Sequence, residues 1–196
     1  MEKIVFKNSK KSYFLVSVFG IAAGLLVAFF SLFPAEDLWG LAYFSSQTFA
    51  FWICTCSLIA LFSEKNYVAG INVALYVFFM FYVTGIFKQL AKFRKEYITK
   101  EEFLNAFINE LSYGFVPALI CFALAFALWY GRKNNMFSRI IRYLPLALII
   151  IESADLILWF ADIKQGLFMV IIEPVCGLVY AIIIIRSSRK TIKAAV

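Results

Sequence analysis

The stretch "YFLVSVFGIAAGLLVAFFSLF", residues 13–33, contains no charged residue. As a helix it rises roughly 1.5 Å per residue and covers roughly 30 Å, the hydrocarbon thickness of a bilayer. Five further apolar runs follow, at 39–62, 66–87, 112–130, 140–160 and 167–185. Their apolar residues are continuous. A membrane β-barrel strand would alternate between apolar and polar. The chain is 63% hydrophobic, against about half for a soluble domain. These features predict an all-α, polytopic membrane bundle with about six transmembrane helices, forming one domain over residues 1–196. The first run is too long for the apolar part of a secretory signal and lacks a small-residue cleavage site, so it reads as the first span.

The formal net charge is +7. Lys3, Lys7, Lys10 and Lys11 precede the first span, and Lys65, Arg132, Lys133, Arg139 and Arg142 fall in the second and fourth connections. Arg186, Arg189, Lys190 and Lys193 follow the last span. With six alternating spans all of these share one side, which predicts cytoplasmic N- and C-termini. Basic residues that flank spans form no soluble basic face, so nucleic acid is not an expected partner; the lipid bilayer is. The third connection is the exception, mixing Lys88, Lys92, Arg94, Lys95 and Lys100 with Glu96, Glu101, Glu102 and Glu110. Thr99 with Glu102 three residues on is a capping-box pattern, and Phe103, Leu104, Phe107 and Leu111 share one face. A short external amphipathic helix is expected over 99–111, lying on the membrane surface or over the bundle mouth.

The chain has no histidine, which removes the His-containing zinc sites and the Ser-His-Asp and Cys-His nucleophile arrangements. Cys54, Cys56, Cys121 and Cys176 all lie within spans, where a disulfide framework is not expected. Neither metal nor cofactor is expected, and the protein does not read as an enzyme. A carboxylate-only hydrolase is the one catalytic arrangement the inventory leaves open.

Three acids inside the last two spans are the sharper signal: Glu152 and Asp155 in "IIESADLI", and Glu173 in "IIEPVCG". A carboxylate at membrane depth costs several kcal/mol unless it is paired, protonated or wetted. Glu152 and Asp155 are related by i, i+3 on one helix, and a short connection makes the last two spans antiparallel neighbours. All three acids then belong to the outer half of the bundle. Pro174 removes an amide hydrogen beside Glu173, freeing a carbonyl of the preceding turn. Gln47, Tyr82 and Trp159 fall at similar depth. Together they describe an outward-facing acidic and aromatic cavity suited to a small cation. Structural alternatives stand beside this: Glu173 protonated against a neighbouring helix, Asp155 reaching to the interface, Glu152 paired with Lys88. Separately, Gly20, Gly24 and Ala28 form a small-residue stripe that favours close helix packing, within the bundle or against a partner.

The motifs "IIESADLI" and "IIEPVCGLVYAIIIIRSSRK", with "SSQTFAFWICTCSLIALF" in the second run, resemble a family of small six-span bacterial membrane proteins of unknown function. Those proteins carry a Glu in the fifth span and another opening the sixth. Ser153 stands here where they often have Gly. The resemblance implies a bacterial cytoplasmic membrane but no activity. The architecture also resembles the substrate-binding S subunits of energy-coupling-factor transporters, which implies a transporter partner docked on the stripe "GIAAGLLVA". Three functions are therefore expected in competition: binding or transport of a small cationic solute, an S-type subunit, and a non-transporting scaffold.

Overall fold

The computed structural model describes residues 5–34, 37–44, 49–96, 99–133 and 135–193. Among them the chain is helical, with no strand. The helices are α1 (Lys10–Phe30), α2 (Phe49–Leu61), α3 (Asn66–Glu96), α4 (Lys100–Trp129), α5 (Met136–Ile163) and α6 (Leu167–Lys193). All but α2 are long and apolar enough to cross a membrane. Their outward faces carry side chains such as Leu124, Ile151, Leu158 and Leu178, each more than 60% exposed. Bare leucines and isoleucines over every long helix suit a lipid surrounding rather than water.

Helix starts follow local chemistry. The Ser9 hydroxyl accepts from the Ser12 amide at α1, and Asn135 Oδ1 accepts from the Ser138 amide at α5. Thr99 and Glu102 form the reciprocal capping box at α4. That box opens a 30-residue helix, not a separate short one. The external helix expected over 99–111 is the first part of α4, continuous with the fourth span. Nothing in "NELSYG" stops a helix, and Gly114 passes through with ordinary packing against Phe78. α3 likewise continues past the expected end at Phe87 to Glu96.

The second span also differs from expectation. In place of one helix over 39–62 there is a 3-10 turn, Leu41–Tyr43, and then α2, which has 13 residues. At 1.5 Å per residue α2 is roughly 20 Å long, too short to cross alone. Gly40 takes left-handed backbone with φ 56°, and a Cβ there would lie 2.7 Å from Gly166. The chain therefore turns at Gly40 in close contact with the α5–α6 connection. Residues 45–48 lie outside the described residues.

The α1–α3 contact is backbone-close. A Cβ on Gly20 would lie 2.5 Å from the Tyr76 carbonyl oxygen, and one on Gly24 would lie 2.6 Å from that of Met80. The Thr84 hydroxyl is shared between the Gly24 carbonyl across this contact, at 3.2 Å, and the Met80 carbonyl of its own helix, at 2.8 Å. Ala28 is buried on the same helix. The small-residue stripe is thus spent inside the bundle. One core, built around Val16, Val73 and Ala118, joins α1, α2, α3 and α4. A second, around Ala50, Ile149 and Tyr180, joins α2, α5 and α6. A third, of Val27, Phe44, Leu156 and Met169, closes the end opposite the chain termini.

The end holding the termini is tied by hydrogen bonds. The Glu64 amide donates to the Phe6 carbonyl at 2.9 Å, and the Trp129 indole donates to the Ser63 carbonyl at 3.0 Å. Arg132 also donates to the Ser63 carbonyl. Arg142, only 8% exposed, donates to the carbonyls of Gly131 at 2.7 Å and Lys133 at 3.2 Å. The Tyr180 hydroxyl then donates to the Arg142 carbonyl at 3.0 Å.

Candidate functional site: a carboxyl pair between two helices

α5 and α6 bring Glu152 and Glu173 together where α2 begins. The Phe49 amide of α2 donates to Glu152 Oε1 at 2.7 Å. The first amides of a helix have no acceptor within it, and they favour a carboxylate. α6 satisfies its own first amides differently: Leu167 and Phe168 donate to the carbonyls of Leu38 and Trp39. The start of α2 thus uses an acidic side chain where α6 uses backbone.

Glu173 is fully buried. Among the described residues, neither of its oxygens receives a hydrogen bond, and Glu152 Oε2 is buried without a partner too. The side chain that Glu173 faces at hydrogen-bonding range is the Glu152 carboxyl. Two ionised carboxylates have no hydrogen between them, so this contact by itself satisfies neither Glu152 Oε2 nor the Glu173 oxygens. The Ala50 amide lies within reach of both carboxyls but does not meet hydrogen-bond geometry to Glu173. Two full negative charges held side by side out of water repel each other. The pair sits between the second and third cores, with Ala50 and Cys176 on one side and Leu156 and Met169 on the other. The Ser153 hydroxyl next to Glu152 is buried and unpartnered as well.

The other expected site residues lie elsewhere. Asp155 is exposed on the surface of α5, so the three acids do not converge as one cluster. An i, i+3 pair is some 60° apart around a helix, enough to put one member inside and the other out. Tyr82 stacks on Phe78 and meets Phe107 edge-on, in the α3–α4 contact. Trp159 meets Tyr43 edge-on at 5.5 Å and covers Gly166 at the end of the bundle. Gln47 lies outside the described residues. Lys88 is exposed and does not pair with Glu152.

A cavity of about 580 Å³ lies between α1, α2 and α3, lined by Phe19, Leu26, Phe51, Leu58, Phe62 and neighbours. A smaller one of about 180 Å³ is lined by Trp52, Met80, Thr84, Lys88 and neighbours. None of the three acids lines either, so neither is the acidic, outward-facing cavity expected. Among the described residues no group of three or more acidic or cysteine side chains is placed to hold a metal ion.

Sequence reasoning did not single out the amides of Phe49 and Ala50. A signal for them exists: "SSQT", at 45–48, is rich in residues that cap helix N-termini and directly precedes the apolar run. Arg142 enters the sequence reading only as a topology charge, although its guanidinium holds the α4–α5 connection and its carbonyl accepts from Tyr180 of α6. No family model matches the chain, and neither does a curated protein or a solved structure.

Proposed function

We propose that this chain is a small multi-pass protein of a bacterial cytoplasmic membrane, with both termini cytoplasmic, that binds a small cation at Glu152 and Glu173 and carries it between the two faces. The observation that carries this reading is Glu173: fully buried, with neither oxygen receiving a hydrogen bond among the described residues, against a second carboxyl. An ionisable group at membrane depth is costly, and such groups mark ion and proton paths. A pair of carboxyls attracts positive charge before anything else. Asp155, Tyr82 and Trp159 drop out of the binding set, and no catalytic role is assigned to any residue. Gly20 and Gly24 pack against α3 within the chain. The test is flux in vesicles reconstituted with the full chain, using a pH-sensitive dye, radiolabelled sodium or potassium, and a quaternary ammonium probe. Glu152→Gln and Glu173→Gln should abolish flux, with Asp155→Asn leaving it intact. Wild-type vesicles that move none of these cations, or both Gln variants moving them as wild type does, would overturn the reading.

A further inference from the structure

We infer that the occupant of this site is a single proton, shared between the Glu152 and Glu173 carboxyls and oriented by the first amides of α2; the inference rests on the cation-site reading above. The unpartnered atoms decide it. Glu152 Oε1 is already taken by the Phe49 amide. Glu152 Oε2 and both Glu173 oxygens are buried and unsatisfied. One proton on Glu173 turns that residue into a donor, and Glu152 Oε2 is the acceptor beside it. The resulting O–H···O⁻ bond is of the short, charge-assisted kind. A single hydrogen therefore satisfies the contact that otherwise sets two carboxylates against each other, and the remaining charge rests on Glu152, which α2 holds by its amide.

A metal cation fits the same place poorly. Hard cations take a shell of several oxygens. Among the described residues, the Phe49 amide donates to the pair and the Ala50 amide lies within reach of it, and such amide hydrogens repel positive charge. A proton needs only the two carboxyls. The titratable neighbours on each packed element are few. α5 adds Asp155, which is exposed, and α6 adds Cys176. α2 adds Cys54, whose thiol donates to the Cys176 carbonyl, one turn away from the pair.

The Gln variants separate this inference from the broader reading. In Glu173→Gln the amide donates permanently to Glu152, imitating the protonated pair, so the protein should fold and keep the Phe49 contact. Infrared difference spectra recorded through a pH titration of the reconstituted full chain, in light and heavy water, report a protonated carboxyl directly. The expected result is a deuterium-sensitive carboxyl band in wild type and Asp155→Asn that is lost in Glu173→Gln and shifted in Glu152→Gln, where the buried Glu173 carboxyl keeps its proton and loses its charged acceptor. Adding sodium or potassium should leave that band unchanged. A wild type with no such band, or a band that survives both Gln substitutions, overturns the shared proton. A band that sodium or potassium removes, with sodium or potassium flux still dependent on Glu152 and Glu173, also overturns it while leaving the cation-site reading standing. Loss of the band in Glu173→Gln and its shift in Glu152→Gln, with no flux of any cation in wild type, keeps the shared proton and removes transport.

Discussion

Gly24→Ala adds one methyl group to α1, and the structure predicts that it destabilises the protein although it improves helix propensity. Replacing Gly by Ala in a helix interior favours the helix by about 1 kcal/mol. At Gly24 the new Cβ would meet the Met80 carbonyl oxygen at 2.6 Å and the Val83 Cβ at 2.9 Å. The carbonyl belongs to the backbone of α3 and cannot rotate away, so the two helices must part. Overpacking of this sort costs about 1–3 kcal/mol. Separation also stretches the Thr84 hydroxyl bond to the Gly24 carbonyl, a contact class averaging about 0.6 kcal/mol in membrane proteins. The net expectation is a loss of about 1–2 kcal/mol. Gly114→Ala is the matched control, because its nearest neighbours, in Phe78 and Phe81, stand at 3.5–3.7 Å, ordinary contact. There the propensity gain survives, and stability should rise by about 0.5–1 kcal/mol. Equilibrium unfolding of the purified chain by SDS in mixed micelles, followed by helicity, measures both. Opposite signs are required. Gly24→Ala as stable as wild type would mean that the stripe serves a surface outside the chain, and the account of α1 against α3 would fail.

Two other outcomes follow from the tied end. Arg142→Lys should lose about 1.5–3 kcal/mol in the same unfolding assay, because a single ammonium cannot reach the carbonyls of Gly131 and Lys133 together as the guanidinium does; a neutral result would show that those bonds contribute nothing to stability. In intact cells, single cysteines replacing Asn8 and Met136 should be labelled only from the cytoplasmic side and one replacing Asp162 only from the other, in a background where the native cysteines are Ser; labelling of Asn8 and Asp162 positions from the same side would refute the topology.

Run length and charge placement made the membrane bundle legible, because insertion into lipid depends on composition summed over about 20 residues. α1, α5 and α6 begin and end within a few residues of the apolar runs that define them, apart from basic extensions. Continuity was less legible. The 39–62 run is apolar enough to cross, but hydropathy does not register the left-handed turn at Gly40 or its contact with Gly166. The same blindness made a separate helix of 99–111, where charge density suggested an interface but nothing broke the backbone before the fourth span. At the site, the depth of Glu152 and Glu173 was readable from their positions in the runs. Their partnership depends on how α5 and α6 rotate against α2, which tertiary packing decides. Asp155 shows the limit: it shares a helix with Glu152 but falls on the exposed side of a burial boundary that the i, i+3 spacing does not locate.

The bonds at the tied end run in series along the chain. Phe6 is held by Glu64, the neighbouring Ser63 by Arg132 and Trp129, the connection that begins at Tyr130 by Arg142, and the Arg142 carbonyl by Tyr180. Under tension applied between the two termini, each link carries the load passed on by the one before. Such a linkage yields at its weakest joint. One guanidinium grips two carbonyls, Gly131 at 2.7 Å and Lys133 at 3.2 Å, whereas the next joint is the single Tyr180 hydroxyl bond at 3.0 Å. A mechanical clasp of this protein therefore opens at Tyr180 before it opens at Arg142.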